Sequence, residues 1–530
     1  MDTTLFVIIL VVYMAIITFL SYLGYRQTKT AKDYLVAGGN LNPYLMGLAY
    51  GASFVSTSAI VGFGGAAAVY GMSLMWLAFF AIGVGIFVAF IVYGRKTRAL
   101  GQKLNALTFA ELLGKRFESV FIRRYAASLF ALMMPLYAAA VMIGGARFLQ
   151  QALKMNYTSA IWIFSIIVML NVVFGGLRGV VYTDAFRGTL DVAIMAILVI
   201  LTFVTLGGVT HANLSLDAMK NMVPANLIAQ GHTGWASMPV FNSQTWWYVI
   251  STLIMGVGIG VLAQPQLISR YMMVKSSREI NRALIVGGIF ILFMNGVPFT
   301  VGALSNVYFK QAVGKIALAA TAVGGAAPNS DLIIPMFITQ AMPVWLTYLF
   351  MLGLLAAAMS ALSGQFHLIS TAISYDLNPR AGKLENKAVI LGRLGIVIGY
   401  ALTMFMAFRL PGSVIPIATS IFFGICAASF LPMFTAGLYW TRVTKTGAIT
   451  SMLTGSLIYL CMVLFVHEKE ATIFGLCKFL FGVKTLTSVP WTYIDPLVIS
   501  LPTSIIVLVV VSLVTKPAQI SLESSGEIAN

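Results

Sequence analysis

Apolar residues in this chain fall in long, nearly uninterrupted runs, and the polar residues are confined to the gaps between them. Thirteen runs are long enough to cross a bilayer, at about 4–25, 45–70, 73–94, 124–152, 158–176, 179–207, 246–268, 283–306, 344–374, 388–408, 411–439, 446–466 and 492–515. A spanning helix needs about 20 mostly apolar residues, and each run meets that requirement if tilt is allowed. The pattern predicts an all-α integral membrane protein. Most connections are short, and the one from Tyr70 to Ser73 is almost nil. Two are long, at about 208–244 and 307–343. Both hold apolar stretches such as Asp331 to Ala341, which predict short helices capping one mouth.

Charge orients the runs. If the N-terminus is outside, 24 of the 33 Lys and Arg residues fall in cytoplasmic loops or at their helix ends. Basic residues accumulate in cytoplasmic loops, so the pattern predicts an outer N-terminus and a cytoplasmic C-terminus in a plasma-membrane protein. A missed helix would scramble the alternation, so the bias also supports the count of thirteen. The first run follows no basic segment and is too long for a signal-peptide core, which predicts that it stays as the first spanning helix.

Composition agrees. The chain has 530 residues, 59% hydrophobic and 9% charged. A soluble protein carries about 25% charged residues, so a soluble enzyme, a nucleic-acid binder and a disordered scaffold are excluded. The net charge of +17 reads as topology signal, because its basic residues punctuate the apolar runs. Cys426, Cys461 and Cys477 form no C-x-x-C pair, and His211, His232, His367 and His467 are scattered. Neither set builds a zinc site or a disulfide framework. No Walker-type GxxxxGK[ST] and no soluble domain is found, which argues against an ATP-driven pump or a receptor kinase.

Glycine and proline inside a spanning run free backbone groups that must be satisfied, so such breaks line cavities or face protein. The second run holds Ser53, Ser56, Thr57 and Ser58, followed by Gly62, Gly64 and Gly65. The seventh holds Gly256, Gly258, Gly260 and Pro265. Either alone reads as close helix packing. Together they lie five runs apart, and each opens a five-helix unit. An odd offset places the units in opposite orientations, the inverted-repeat plan of secondary transporters with a site at mid-membrane. The implied organisation is a first helix and cytoplasmic loop (1–44), a first repeat (45–208) and an outer loop (209–245). A second repeat (246–440, with its outer loop at 307–343), two further helices (441–517) and a tail (518–530) follow. In the ninth run Ala357, Ser360 and Ala361 share one helix face, which lets another helix approach and can offer oxygen ligands to an alkali ion.

Five stretches resemble the sodium/solute symporter family, which includes proline, pantothenate, sugar and monocarboxylate carriers. They are KDYLVAGG after the first run, LTFAELLGKRF at 107–117, FGGLRGVVYTDAFRG at 174–188, AQPQLISRYMMVKSSREINRA at 263–283 and LPMFTAGLYWTRVTKTGA at 431–448. Each is weak alone, and five in the right order are specific. The resemblance implies a LeuT-type core of ten helices with one preceding and two following, and solute uptake coupled to Na⁺ entry. It implies a sodium site in which Ala52 and Val55 donate carbonyls from the second run, Ala357 a carbonyl and Ser360 a hydroxyl from the ninth. The chain departs at Ala361, where the family commonly has Ser or Thr, and at Phe54, where the proline carriers have Asp. A missing hydroxyl weakens Na⁺ binding unless water or another carbonyl replaces it. Protons therefore stand as the alternative coupling ion, and an uncoupled facilitator or channel as the rival class.

The candidate solute residues are Ser56, Thr57 and Ser58 of the second run, Tyr137, which matches a family tyrosine, and Val257 and Val261. Ser58, Val257 and Val261 stand where the proline carriers have bulky aromatics, which predicts a roomier, more aliphatic pocket. Few side-chain donors are available for a polyol, so a small organic acid is the preferred solute. Asp184 and Asp191 are candidates for ion release or protonation, because a membrane carboxylate is costly. Asp184 also reads as a helix-start acid paired with Arg178 or Arg187. Arg147 and His367 read first as structural. No cofactor other than the coupling ion is expected, and the partners are the solute and the bilayer. No pattern in the chain specifies the solute, the stoichiometry or an oligomeric state.

Overall fold

A computed structural model describes residues 2–26, 42–174, 177–272, 276–377 and 385–516. The KDYLVAGG stretch and the 518–530 tail lie outside the described residues, as do Lys29, Lys32, Lys275, Arg380 and Lys383 of the charge count. The described residues form helices and connections, with no strand among them. Every one of the thirteen apolar runs is a helix or a broken helix. They are α1 (Thr3–Arg26), α2a (Pro43–Phe54) with α2b (58–70), α3 (75–103), α4 (Val120–Leu153), α5 (Tyr157–Phe174) and α6 (Leu177–Thr205). Then come α7a (Gln244–Ala263) with α7b (Pro265–Tyr271), α8 (Ser277–Val313), α9 (Val344–Asp376), α10 (Glu385–Arg409), α11 (Ile415–Tyr439), α12 (Lys445–Phe465) and α13 (Pro496–Val514). Several are too short or too broken to count individually as spans; ten uninterrupted stretches are long and apolar enough among the described residues.

Polar caps set the helix starts. Asn42 accepts the Tyr44 amide ahead of Pro43, Ser119 accepts the Ile122 amide, and Thr444 and Asp495 do the same for α12 and α13. Each satisfies an amide that the first helical turn leaves without a partner. Within the bundle, α11 is the central pillar. Its most apolar stretch is entirely buried, against 28% for that of α13. α9 packs on α4, α6 and α10, and α12 pairs with α13 at the edge. α1 lies outside the core and turns Phe6, Tyr13 and Ile17 inward, while Val7, Ile8, Val11 and Val12 stay exposed. Such an apolar outer face is what lipid contact requires.

The 307–343 loop carries the expected short helix, Ile333–Ala341, after a single tight turn at Ser330–Leu332. This lid lies directly on α2b. A Cβ on Gly65 would overlap the Ser330 carbonyl oxygen, and one on Gly302 of α8 would overlap the Gly64 carbonyl oxygen. Replacing Gly65 by alanine forces backbone apart from backbone, and overpacking of this kind costs about 1–3 kcal/mol. Gly65→Ala is expected to lower the melting temperature of the purified protein and to slow solute uptake. An unchanged melting curve with full uptake would show that the lid is not seated on α2b during transport.

Candidate ion and solute site

α2 breaks just past the middle of its run. α2a ends at Phe54, and Val55 is extended (φ −89°, ψ 127°) with its amide still bonded to the Gly51 carbonyl. Helical structure resumes from Ser56, whose carbonyl accepts the amides of Ala59 and Ile60. The local sequence Val-Ser-Thr favours this. A β-branched residue is followed by two hydroxyls that compete for backbone groups. Ser56 Oγ accepts the Ser58 amide at 3.3 Å, and Thr57 Oγ1 donates to the Val141 carbonyl of α4. Carbonyls in the last turn of α2a thereby lose helical partners, which is the supply of oxygens an ion site needs.

α7 breaks at Gln264, which is extended (φ −75°, ψ 115°) ahead of Pro265. The proline ring disfavours a helical conformation in the residue before it. Pro265 marks its break as expected, while the glycines named beside it and in the second run do not mark the breaks. Gly62, Gly64 and Gly65 lie in α2b, beyond the break, and Gly256, Gly258 and Gly260 lie in continuous helical turns of α7a. A Cβ on Gly258 would meet the Phe80 ring, and one on Gly260 would meet Phe423. The glycines permit close packing, while Val55 and Pro265 make the interruptions.

The four candidate ion ligands are all buried, Ala52 and Val55 on α2, Ala357 and Ser360 on α9, and α2a packs against α9. Ser360 Oγ donates to Asp184 Oδ1 of α6 at 2.6 Å. Asp184 Oδ2 lies 3.5 Å from Arg270 Nη2 of α7b, and Arg187 Nη1 lies 3.9 Å from Oδ1. Arg270 Nη2 in turn donates to Ser53 Oγ of α2a at 2.7 Å. A continuous chain thus runs Ser53–Arg270–Asp184–Ser360, from the α2 break to α9. Asp184 pairs with Arg187 as expected and also with Arg270, 86 positions downstream; the Arg178 side chain is outside the described ones. Asp191 lies fully buried within electrostatic reach of Arg187, with Oδ1 accepting no hydrogen bond. Its Oδ1 packs close to Gly353 of α9. Ala361, buried on α9, adds no side-chain oxygen, but Ser363 Oγ is buried close by in sequence without a hydrogen-bond partner.

Beside the α2 break is a small cavity of about 30 Å³. It is lined by Phe54, Ser58, Ala59 and Phe63 of α2, Leu77 and Ala81 of α3, Tyr137 of α4, Val257 of α7a, Asn295 and Phe299 of α8, and Thr419 and Phe423 of α11. Three of the candidate solute residues, Ser58, Tyr137 and Val257, face it. Ser56 stands one bond behind, with Oγ 2.9 Å from Ser58 Oγ and 3.4 Å from the Tyr137 hydroxyl. The structure does not bring Thr57 or Val261 to the wall. Thr57 is turned to Val141, and Val261 is buried against Gly85 of α3. Thr419 Oγ1 donates to Ser58 Oγ at 3.3 Å, so α11 closes the polar side. Among the described residues, no charged side chain lines this cavity. The wall is apolar and aromatic with four polar groups, a small-molecule pocket by its chemistry.

Polar contacts also join the segment after α12 to α2b and α7a. Lys469, from the loop after α12, donates to the Tyr70 hydroxyl at 3.1 Å and sits over the Tyr248 ring, and burial pulls its ammonium down to about 7. Asp331 in the lid is fully buried, and burial pushes its carboxyl up to about 7 against the pull of Arg147. Arg147 donates to Gln150 at 3.0 Å and lies over the Tyr157 ring, the local engagement expected of a helix-end arginine. His367 is buried on α9. Sequence reasoning named Ser53 only among the hydroxyls of the second run and missed Arg270, Asn295, Thr419 and Phe423. Arg270 stands two residues past the end of the seventh run, where it reads as a topology charge and not as a partner for Asp184.

The sequence profile of the Sodium:solute symporter family matches residues 34–455, and the chain belongs to that family. It is therefore a multi-pass membrane transporter rather than an enzyme. The sodium/pantothenate symporter of Haemophilus influenzae is 27% identical over 491 residues, covering 90% of this chain and 95% of that protein. The sodium/proline symporter of Escherichia coli is 25% identical over 452 residues, covering 84% and 85%. Among solved structures, the substrate-bound outward-open state of a Na⁺-coupled sialic acid symporter superposes with a TM-score of 0.75 at 19% identity, covering 97% of this chain and 99% of that one. That likeness establishes the fold, a LeuT-type inverted repeat with one helix before it and two after.

Proposed function

We propose that this protein carries a small organic carboxylate into the cell together with Na⁺, by alternating access, with its N-terminus outside and its C-terminus in the cytoplasm. The observation that carries the reading is the α2 break, which opens onto a pocket walled by both repeats. Ala52 and Val55 would supply carbonyls to the ion, Ala357 a third and Ser360 a hydroxyl, with Ser363 offering an oxygen that Ala361 lacks. The residues fit an alkali ion: hard oxygen donors beside a freed helix end. Solute would bind against Ser58, Tyr137 and Val257, with Ser56 behind them.

Charge balance favours an acid. Asp184, Asp191, Arg187 and Arg270 sum to zero in their usual charge states, so an entering Na⁺ leaves one uncompensated positive charge. An anionic solute in the adjoining pocket restores neutrality, which makes each favour the binding of the other; such coupling is reciprocal. The N-terminal end of α2b at Ser58 also faces the pocket, and helix N-termini favour anions. The pantothenate carrier, whose solute is a carboxylate, is consistent with this class. Rocking of one bundle against the other then exposes the pocket to each side in turn.

The test is uptake into proteoliposomes with labelled pantothenate, proline and short monocarboxylates. An inward Na⁺ gradient is expected to drive accumulation of a carboxylate above equilibrium. Accumulation driven by a proton gradient with no response to Na⁺ would install the proton-coupled reading, which Ala361 and the buried Asp191 favour. Equilibration without accumulation would indicate a facilitator.

A further inference from the structure

Arg270 sits where a second cation is least welcome. It is 3% exposed, on the short helix α7b, and its guanidinium reaches both the α2 break and the carboxylate that holds Ser360. Ser53, its partner, is the neighbour of Ala52, whose carbonyl belongs to the proposed ion site. Ser360, the proposed hydroxyl ligand, is at the other end of the same chain of contacts, donating to Asp184. The guanidinium is thus tied directly to α2a and, through Asp184, to α9, the two helices that a Na⁺ ion would have to bridge.

We propose that Arg270 is an internal competitor of the transported ion. Its contacts with Ser53 and Asp184 clasp α7b to α2a and α6 while the ion site is empty, and Na⁺ binding at Ala52, Val55, Ala357 and Ser360 requires the clasp to open. Two arguments support this. In a low-dielectric interior two positive charges a few ångströms apart repel strongly unless a carboxylate is shared between them. The four charged groups here already balance, so the ion can enter only if a guanidinium moves away or an anion joins. Ser360 must also turn its lone pairs to the ion, and its bond to Asp184 is one link from the clasp. When the ion leaves, Arg270 returns to Asp184 and restores neutrality, which opposes rebinding from the side of release. The inner half of α7 thus senses the ion directly, and Arg270 acts as a coupling residue, touching no solute.

The inference rests on the ion site proposed above, and the test separates the two. Na⁺ affinity would be measured on purified protein in lipid nanodiscs by equilibrium binding of radioactive sodium, without solute. Ser53→Ala removes one anchor of the guanidinium and leaves every charge in place; it is expected to tighten Na⁺ binding about three- to ten-fold. Arg270→Gln removes the competing charge and is expected to tighten it more than ten-fold, with Arg270→Lys near the parent value. Ser360→Ala is expected to weaken binding. If Ser360→Ala weakens binding while Ser53→Ala and Arg270→Gln leave it unchanged or weaker, the ion site stands and the competitor role is wrong. If Ser360→Ala has no effect, both fall, because the ion is then not where Arg270 would oppose it. Should Arg270→Gln fail to fold, Ser53→Ala decides alone.

Discussion

Substitution of Asp184 by alanine is expected to be the most damaging single change in this protein. The carboxylate accepts the Ser360 hydroxyl and faces two guanidinium groups, Arg187 and Arg270, and all four side chains are within 3% of complete burial. Removing it leaves the two buried guanidinium groups with one buried carboxylate fewer, Asp191 remaining. Breaking a buried pair by deleting one partner costs about 3–5 kcal/mol. Asp184→Ala should lower the melting temperature in detergent sharply and abolish uptake. Asp184→Asn keeps the shape and an acceptor for Ser360, so it should fold better than alanine yet remain transport-deficient. A melting curve for Asp184→Ala that overlays the parent would mean that the two arginines are neutralised elsewhere.

Ser360→Ala should produce the largest selective loss. The residue is fully buried, mid-helix and small, so alanine fits its space with little effect on packing. What disappears is the hydrogen bond to Asp184 and one oxygen of the proposed ion shell, in a site where Ala361 offers none. The Na⁺ concentration for half-maximal uptake should rise at least ten-fold, equivalent to about 1.4 kcal/mol, and the melting temperature in Na⁺-free buffer should fall as well, because a buried hydrogen bond to a carboxylate, worth about 1.5–3 kcal/mol, is lost. Ser360→Thr, which keeps the oxygen, should recover most of the affinity. If half-saturation for Na⁺ is unmoved while solute affinity falls, the hydroxyl serves the solute instead.

The thirteen spans were readable because lipid demands continuous apolar stretches, and that demand survives any ambiguity of tertiary packing. The positions of the breaks were only partly readable. Glycine density pointed to the right helices for a reason that proved secondary. At Gly65, Gly258 and Gly260 the glycines make room for neighbouring chains, whereas the interruptions come from Val55 and from the proline after Gln264. The pattern shows that a helix is atypical, but whether its small residues unwind or merely pack depends on what lies opposite. Asp184 was readable as costly. Its main partner was not, because Arg270 approaches from another helix and shares no periodicity with it. The same holds for Thr419 and Asn295, ordinary residues of apolar helices until the fold turns them toward one pocket. Thr57 and Val261 show the converse: membership of a promising stretch does not fix which way a side chain points.

The seating of α2b has a mechanical consequence. With no side-chain cushion between Gly64 and Gly302, or between Gly65 and Ser330, α2b meets the backbone of α8 and of the lid directly, so sliding between them is resisted. A swing of α2b would carry α8 and the lid with it, with α2a joined by a two-residue link. Val55 and Ser56 then serve as the fulcrum, and whatever gathers there feels the torque of both ends.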